Sequence, residues 1–198
     1  MTFQLPPERS KLGLPDQGWT VQSEVKPSKV SEGAGNGRFA LEAIPKGSRV
    51  LVKKLVPMQT ITKLSDLGGD SIVTFSSEED LERYIQCADS EAGITRPQIL
   101  DLYENFLYGL DGDRGCLNIS TYTTNHADGD LTTMELNIET VDGCECIVGT
   151  ALGKDIAIDQ ELTIDYRRFK IPDFYLGYCK KNNITDVRTV VLSIVDRK

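Results

Sequence analysis

The feature that most constrains this chain is a pair of alternating segments meeting at Asp142-Gly143. Met134-Glu135-Leu136-Asn137-Ile138-Glu139 alternates apolar and polar residues, Thr140-Val141 leads into the turn, and Cys144-Glu145-Cys146-Ile147-Val148 resumes the alternation. A period of two sends successive side chains to opposite faces of a strand, and Asp-Gly tolerates the positive backbone angles of a two-residue hairpin turn. The pattern predicts a β-hairpin across 134–148. It also accounts for Cys144 and Cys146, which share one strand face.

Upstream, a β-branched stretch from Val25 to Val30 runs into the glycine-bearing segment Ser31-Glu32-Gly33-Ala34-Gly35-Asn36-Gly37. Arg38-Phe39-Ala40-Leu41 then reads as a strand, Ile44-Pro45-Lys46-Gly47-Ser48 as a tight turn and Arg49-Val50-Leu51-Val52 as a second strand. A strand-turn-strand unit is expected between Arg38 and Val56. The periodicity changes after Ser76-Ser77, where Glu78-Glu79-Asp80 suits a helix start and Leu81, Tyr84, Ile85 and Ala88 recur at helical spacing. Thr95 and Pro97 open a second helix, whose apolar face from Ile99 to Leu110 runs out at Gly109 and Gly112. Residues 155–166 are again β-rich, and an aromatic tail of Phe169, Phe174, Tyr175 and Tyr178 leads to a β-branched end at 189–195. The expected fold is mainly β with a helical insert at about 76–112. Its parts are an N-terminal arm (1–23), a domain (24–170) and a C-terminal extension (171–198).

With 22 Lys and Arg against 30 Asp and Glu, the net charge is −8, which argues against direct nucleic-acid binding and favours a basic partner. Five scattered cysteines and one histidine suit free thiols in a reducing compartment and leave no four-ligand zinc set, so no metal is expected. No run of about 18 apolar residues marks a membrane span, and the first ten residues lack the apolar core of a secretory signal. An intracellular setting, nuclear or cytoplasmic, is the expectation.

Three segments, in order, resemble the motifs of the SET-domain protein lysine methyltransferases. Gly35-Asn36-Gly37-Arg38-Phe39-Ala40 with Ile44-Pro45-Lys46-Gly47 is similar to the family's opening Gly-x-Gly, aromatic-Ala and Ile-x-x-Gly pattern. Asn125-His126 resembles the start of its Asn-His-Ser-x-x-Pro-Asn motif, and Ile156 followed by Glu161-Leu162-Thr163-Ile164-Asp165-Tyr166 resembles its Glu-Leu-Thr-x-Asp-Tyr signature. The resemblance implies a SET-type β-clip fold of small sheets with a C-terminal pseudoknot. It implies S-adenosylmethionine as cofactor, held by Asn36, Gly37, Arg38, Phe39, Asn125, His126, Tyr166 and Phe174. It further implies methyl transfer to a lysine in an extended basic peptide, from a histone or another protein, with Tyr166 as the catalytic tyrosine and Tyr108 and Tyr122 as further channel tyrosines. Glu161 and Asp165 are expected to hold the local turn, and His126 to act through its backbone.

The chain departs from the pattern after Asn125-His126, where Ala127-Asp128-Gly129-Asp130-Leu131 replaces the family's Ser and Pro-Asn, and no three-cysteine zinc cluster follows the signature. This departure keeps open an alternative, a catalytically inactive SET-like protein-binding module. Chemically, glycines admit close backbone approach to a cofactor, and in-line transfer needs a neutral amine held at roughly 3 Å from the methyl carbon. A tyrosine oxygen can orient that amine.

Overall fold

The computed structural model describes residues 17–30, 35–118, 123–189 and 193. Tyr122, most of the expected N-terminal arm and most of the β-branched end lie outside the described residues. In chain order the strands are β1 (Ser23–Pro27), β2 (Asn36–Ala40), β3 (Arg49–Pro57), β4 (Ser71–Phe75), β5 (Leu107–Gly109), β6 (Gly115–Leu117), β7 (Asn125–His126), β8 (Met134–Val141), β9 (Cys144–Ala151) and β10 (Glu161–Ile164). The helices are α1 (Glu78–Ala92), α2 (Arg96–Phe106) and α3 (Asp173–Asn182), none of them long and apolar enough to cross a membrane. Two compact units divide the chain: residues 17–30, 35–54 and 123–166 form the first, and 55–118, 167–189 and 193 the second.

In the first unit, β10 is the organising strand. It pairs antiparallel with β2, setting Glu161 opposite Phe39 and Leu162 opposite Arg38, and parallel with β7, setting Thr163 opposite Asn125 and Ile164 opposite His126. All four of its residues are buried, as a strand enclosed on both faces requires. β1 completes this sheet beyond β2, in the order β1-β2-β10-β7. A second set of strands places β9 between β3 and β8. The hairpin expected from the alternating pattern forms and extends to Ala151, closing where Asp142 (φ 51°) and Gly143 (φ 76°) both adopt left-handed angles.

The strand-turn-strand unit expected between Arg38 and Val56 is present. β2 and β3 both form, but they pair with different strands, because the intervening turn is tied to a distant one. Gly47 N–H donates to the Ala151 carbonyl at 3.0 Å, Lys46 N–H to the Asp155 carboxylate at 2.8 Å, and Ile44 bridges Ile156. Residues 155–166 are β-rich as expected, with a bridge at Ile156 and strand β10, and Asp159 at φ 65° interrupts the extended run between them.

The second unit holds both helices of the insert. Ser77 caps α1 by accepting the Asp80 N–H at 3.3 Å, Gly93 ends it at φ 65°, and Thr95 with Gln98 forms a capping box on α2. α2 stops at Phe106, short of the expected glycines, and Leu107 to Gly109 pairs with β6 as a strand. Leu107 turns extended (φ −90°, ψ 121°), and at Gly109 a Cβ would lie 1.8 Å from the Lys170 carbonyl oxygen, a main-chain approach that only glycine allows. From Phe174 to Tyr178 the aromatic tail lies in helix α3, with Tyr175, Tyr178 and Cys179 buried on one face at helical spacing. Around them Phe75, Tyr84, Tyr103 and Tyr178 pack at centroid distances of 5.7–6.2 Å.

Candidate active site

Glu161 joins the first and second motif segments. Its carboxylate accepts the Ser28 hydroxyl (2.8 Å), the Lys29 N–H (2.7 Å) and one N–H of the Asn125 amide (2.8 Å). The other Asn125 N–H donates to the Asn36 carbonyl at 3.1 Å, so this side chain stitches the glycine segment to β10. Gly37 makes room for the arrangement: a Cβ there would stand 2.1 Å from Glu161 Oε1. The glycine expected to admit a cofactor therefore admits the chain's own carboxylate. Gly35 is different, being left-handed (φ 73°) with nothing within 4 Å of a Cβ among the described residues.

The second and third segments meet at Tyr166. Its N–H donates to His126 Nδ1 at 3.1 Å and its hydroxyl donates to the Thr124 carbonyl at 2.8 Å. The ring is 6% exposed and packs edge-on against His126, with centroids 5.6 Å apart. Burial holds the phenol well above its usual range, so it stays protonated at any physiological pH. Its oxygen is then an acceptor and cannot serve as a base. Beneath this junction Thr133 and Thr163 bond reciprocally, with Thr163 N–H donating to Thr133 Oγ1 (2.8 Å) and Thr133 N–H to Thr163 Oγ1 (3.1 Å).

The side chains of Arg38 and Phe39 serve packing. Arg38 is buried, donates to Ser23 Oγ at 3.0 Å and lies 4.4 Å from the centroid of the Trp19 ring. Phe39 is fully buried under the ammonium groups of Lys26 and Lys29, at 4.6 and 5.2 Å from its ring centroid. Both lysines also bond Asp159, and the Lys26 ammonium with Lys29 beside it holds that carboxyl down to about 2. A cleft of about 250 Å³ opens alongside, between Lys29, Val30, Leu131, Thr133, Gln160 and Thr163.

Tyr108 and Phe174 belong to the second unit. Tyr108 is buried, accepts from the Asn118 amide at 2.8 Å and stacks on Phe169 at 4.3 Å. Phe174 is half-buried on α3. The structure thus brings Asn36, Gly37, Asn125, His126 and Tyr166 together within one unit, with the side chains of Arg38 and Phe39 buried in packing contacts.

Sequence reasoning missed Ser28, Lys29 and Thr133, whose partners lie 28 to 133 residues away. No local pattern marks such residues. It also missed Asp128, whose Oδ1 lies 3.3 Å from His126 Nε2, while Asp165 Oδ1 stands 3.8 Å from Nδ1. These three side chains could gather round a cation, but the ring state argues otherwise. Nδ1 accepts the Tyr166 N–H, so a neutral ring carries its proton on Nε2 and has no second lone pair for a metal.

No family model and no curated protein sequence matches the chain. Its fold does match solved structures of the Polycomb Repressive Complex 2 of Chaetomium thermophilum. The apo complex in an autoinhibited state aligns at a TM-score of 0.51 with 20% identity, over 82% of this chain and 17% of that one. An apo form with two substitutions in Ezh2 aligns at 0.50 with 20% identity, over 80% and 16%. The chain therefore spans less than a fifth of the length of these two chains. The likeness shows the fold, a β-rich SET-type arrangement of small sheets.

Proposed function

We propose that this chain is an S-adenosylmethionine-dependent protein lysine N-methyltransferase acting on a lysine in an extended, basic peptide. One observation carries the reading: within a SET-type fold, β10 draws the glycine segment, Asn125-His126 and Tyr166 into a single hydrogen-bonded junction. The net charge of −8 suits a basic peptide, histone or otherwise. The five free thiols go with a reducing, intracellular setting.

The residues present fit the cofactor's charge. S-adenosylmethionine is cationic at its sulfonium and ammonium groups, and the junction offers acceptors. With both amide N–H groups engaged, Asn125 keeps Oδ1, and Glu161 brings a carboxylate. Among the described residues nothing crowds Gly35, which allows close approach, whereas Gly37 is filled. Asn36, Asn125, the His126 main chain and Glu161 would hold the cofactor, which when bound supplies an electrophilic methyl group on a positively charged sulfur.

Tyr166 supplies orientation. Its proton is committed to the Thr124 carbonyl, so its oxygen accepts an N–H of the arriving lysine amine and turns the nitrogen lone pair toward the methyl carbon. Lysine sheds its proton to solvent before attack, because the raised phenol cannot remove it.

Calorimetric titration with S-adenosylmethionine, followed by methyl incorporation into lysine-rich proteins, tests the proposal, and mass spectrometry of the products names the substrate lysine. Micromolar binding with incorporation is expected. No binding at high micromolar cofactor would overturn the enzyme reading in favour of the inactive protein-binding module.

A further inference from the structure

The geometry points to His126 as a positioning residue for Tyr166, with Asp128 selecting the imidazole tautomer that lets it act. This rests on the reading that Tyr166 meets the substrate amine.

The Tyr166 main chain is fixed by an acceptor it does not own. Its N–H donates to His126 Nδ1 at 3.1 Å, so Nδ1 must be unprotonated. A neutral imidazole with a bare Nδ1 carries hydrogen on Nε2, since one ring nitrogen donates while the other accepts. Nε2 is buried and, among the described residues, has no hydrogen-bond partner. The carboxylate oxygen of Asp128 stands 3.3 Å from it, in ion-pair range though not aligned as a hydrogen bond. A negative charge beside Nε2 favours the proton there and disfavours the alternative with hydrogen on Nδ1. That alternative would set two N–H groups against each other at the Tyr166 main chain.

Asp165 is the other carboxylate near the ring, 3.8 Å from Nδ1, and the neutral Tyr166 phenol packs edge-on at 5.6 Å. Asp165 pulls a proton toward Nδ1, so the two acids compete across one ring. Asp128 is the closer of the two, and its competitor faces a nitrogen already occupied by the Tyr166 N–H. Asp128 belongs to the five-residue segment where this chain leaves the family pattern. The departure therefore carries a replacement device for ordering the catalytic tyrosine.

Because the chain has a single histidine, long-range proton–nitrogen NMR of the nitrogen-15-labelled protein reads the tautomer without ambiguity, with neither cofactor nor peptide present. With the ring neutral, the wild type is expected to show hydrogen on Nε2; a dominant Nδ1–H form would overturn the proposal. Asp128→Lys places a cation beside Nε2 at a half-exposed position and should move population to Nδ1–H and shift the Tyr166 amide signal. Asp128→Glu should restore both signals. An unchanged tautomer and amide in Asp128→Lys, with the same melting temperature, would remove Asp128 from the device. In methyl transfer, Asp128→Lys should lower kcat on the order of tenfold to hundredfold with little change in peptide KM. A wild type with the expected tautomer but no methyl transfer overturns the functional reading alone.

Discussion

Glu161 Oε1 occupies the space that a side chain at Gly37 would need, 2.1 Å from the position of a Cβ. The carboxylate there holds Ser28, Lys29 and Asn125 at once, so the contact links three stretches of chain. Gly37→Ala should push the carboxylate out of its bonds and cost about 1–3 kcal/mol. Gly35→Ala, strained in its left-handed angle but unobstructed by any described residue, should cost only about 1 kcal/mol. Urea unfolding of the two variants checks the order. The same order should appear in calorimetric affinity for S-adenosylmethionine, with Gly37→Ala the weaker binder.

Gly109 carries a comparable constraint in the second unit, where the obstruction is main chain and cannot rotate away. With the Lys170 carbonyl oxygen 1.8 Å from a Cβ, Gly109→Ala should cost about 3 kcal/mol. Gly112→Ala meets only the Lys170 side chain at 3.8 Å, so its cost comes from its positive φ alone. Thermal melting of both variants separates a clash from a conformational preference.

These glycines show what was legible in the sequence. Local patterns were readable where the cause was local: the alternation around Asp142-Gly143, the Ser77 and Thr95 caps and the order of the three motif segments. The end of α2 was not, because the strand that follows it passes against the Lys170 main chain at Gly109, which no window around residue 109 contains. α3 carries no clear helical signature because its buried positions are tyrosines and cysteine, with Gly177 between them. The candidate site divides in the same way. Asn125, His126 and Tyr166 were nameable from their motifs, whereas Ser28, Lys29 and Asp128 act through spatial neighbours.

Alkaline pH should unfold the protein through its buried phenols and thiol. Burial raises Tyr84, Tyr103, Tyr166 and Tyr175 above the ordinary tyrosine value of 10.0, and pushes the Cys179 thiol from 9.0 up to about 11. A group whose pKa is raised by folding stabilises the native state fully below its unfolded value. That contribution is lost as pH climbs toward the folded value. The melting temperature should therefore hold up to pH 9.0 and fall beyond it, with the thiol acting first and the phenols from pH 10.0. Tyrosinate absorbance rising before the loss of helical circular dichroism would contradict this coupling.

Tyr166→Phe isolates the hydroxyl from the fold. The ring is buried against His126 and its N–H still reaches Nδ1, so cofactor binding should persist and stability should fall by about 1 kcal/mol for the lost bond to the Thr124 carbonyl. Methyl transfer should drop on the order of 10²–10⁴, since the amine loses the oxygen that orients it. The loss should fall on kcat, because the peptide is held by contacts elsewhere along its length and only the attack geometry changes. Single-turnover methylation at saturating peptide, beside calorimetric cofactor affinity, separates these terms. Full transfer by Tyr166→Phe would mean that another group meets the amine and that Tyr166 serves the fold through Thr124 and His126 alone.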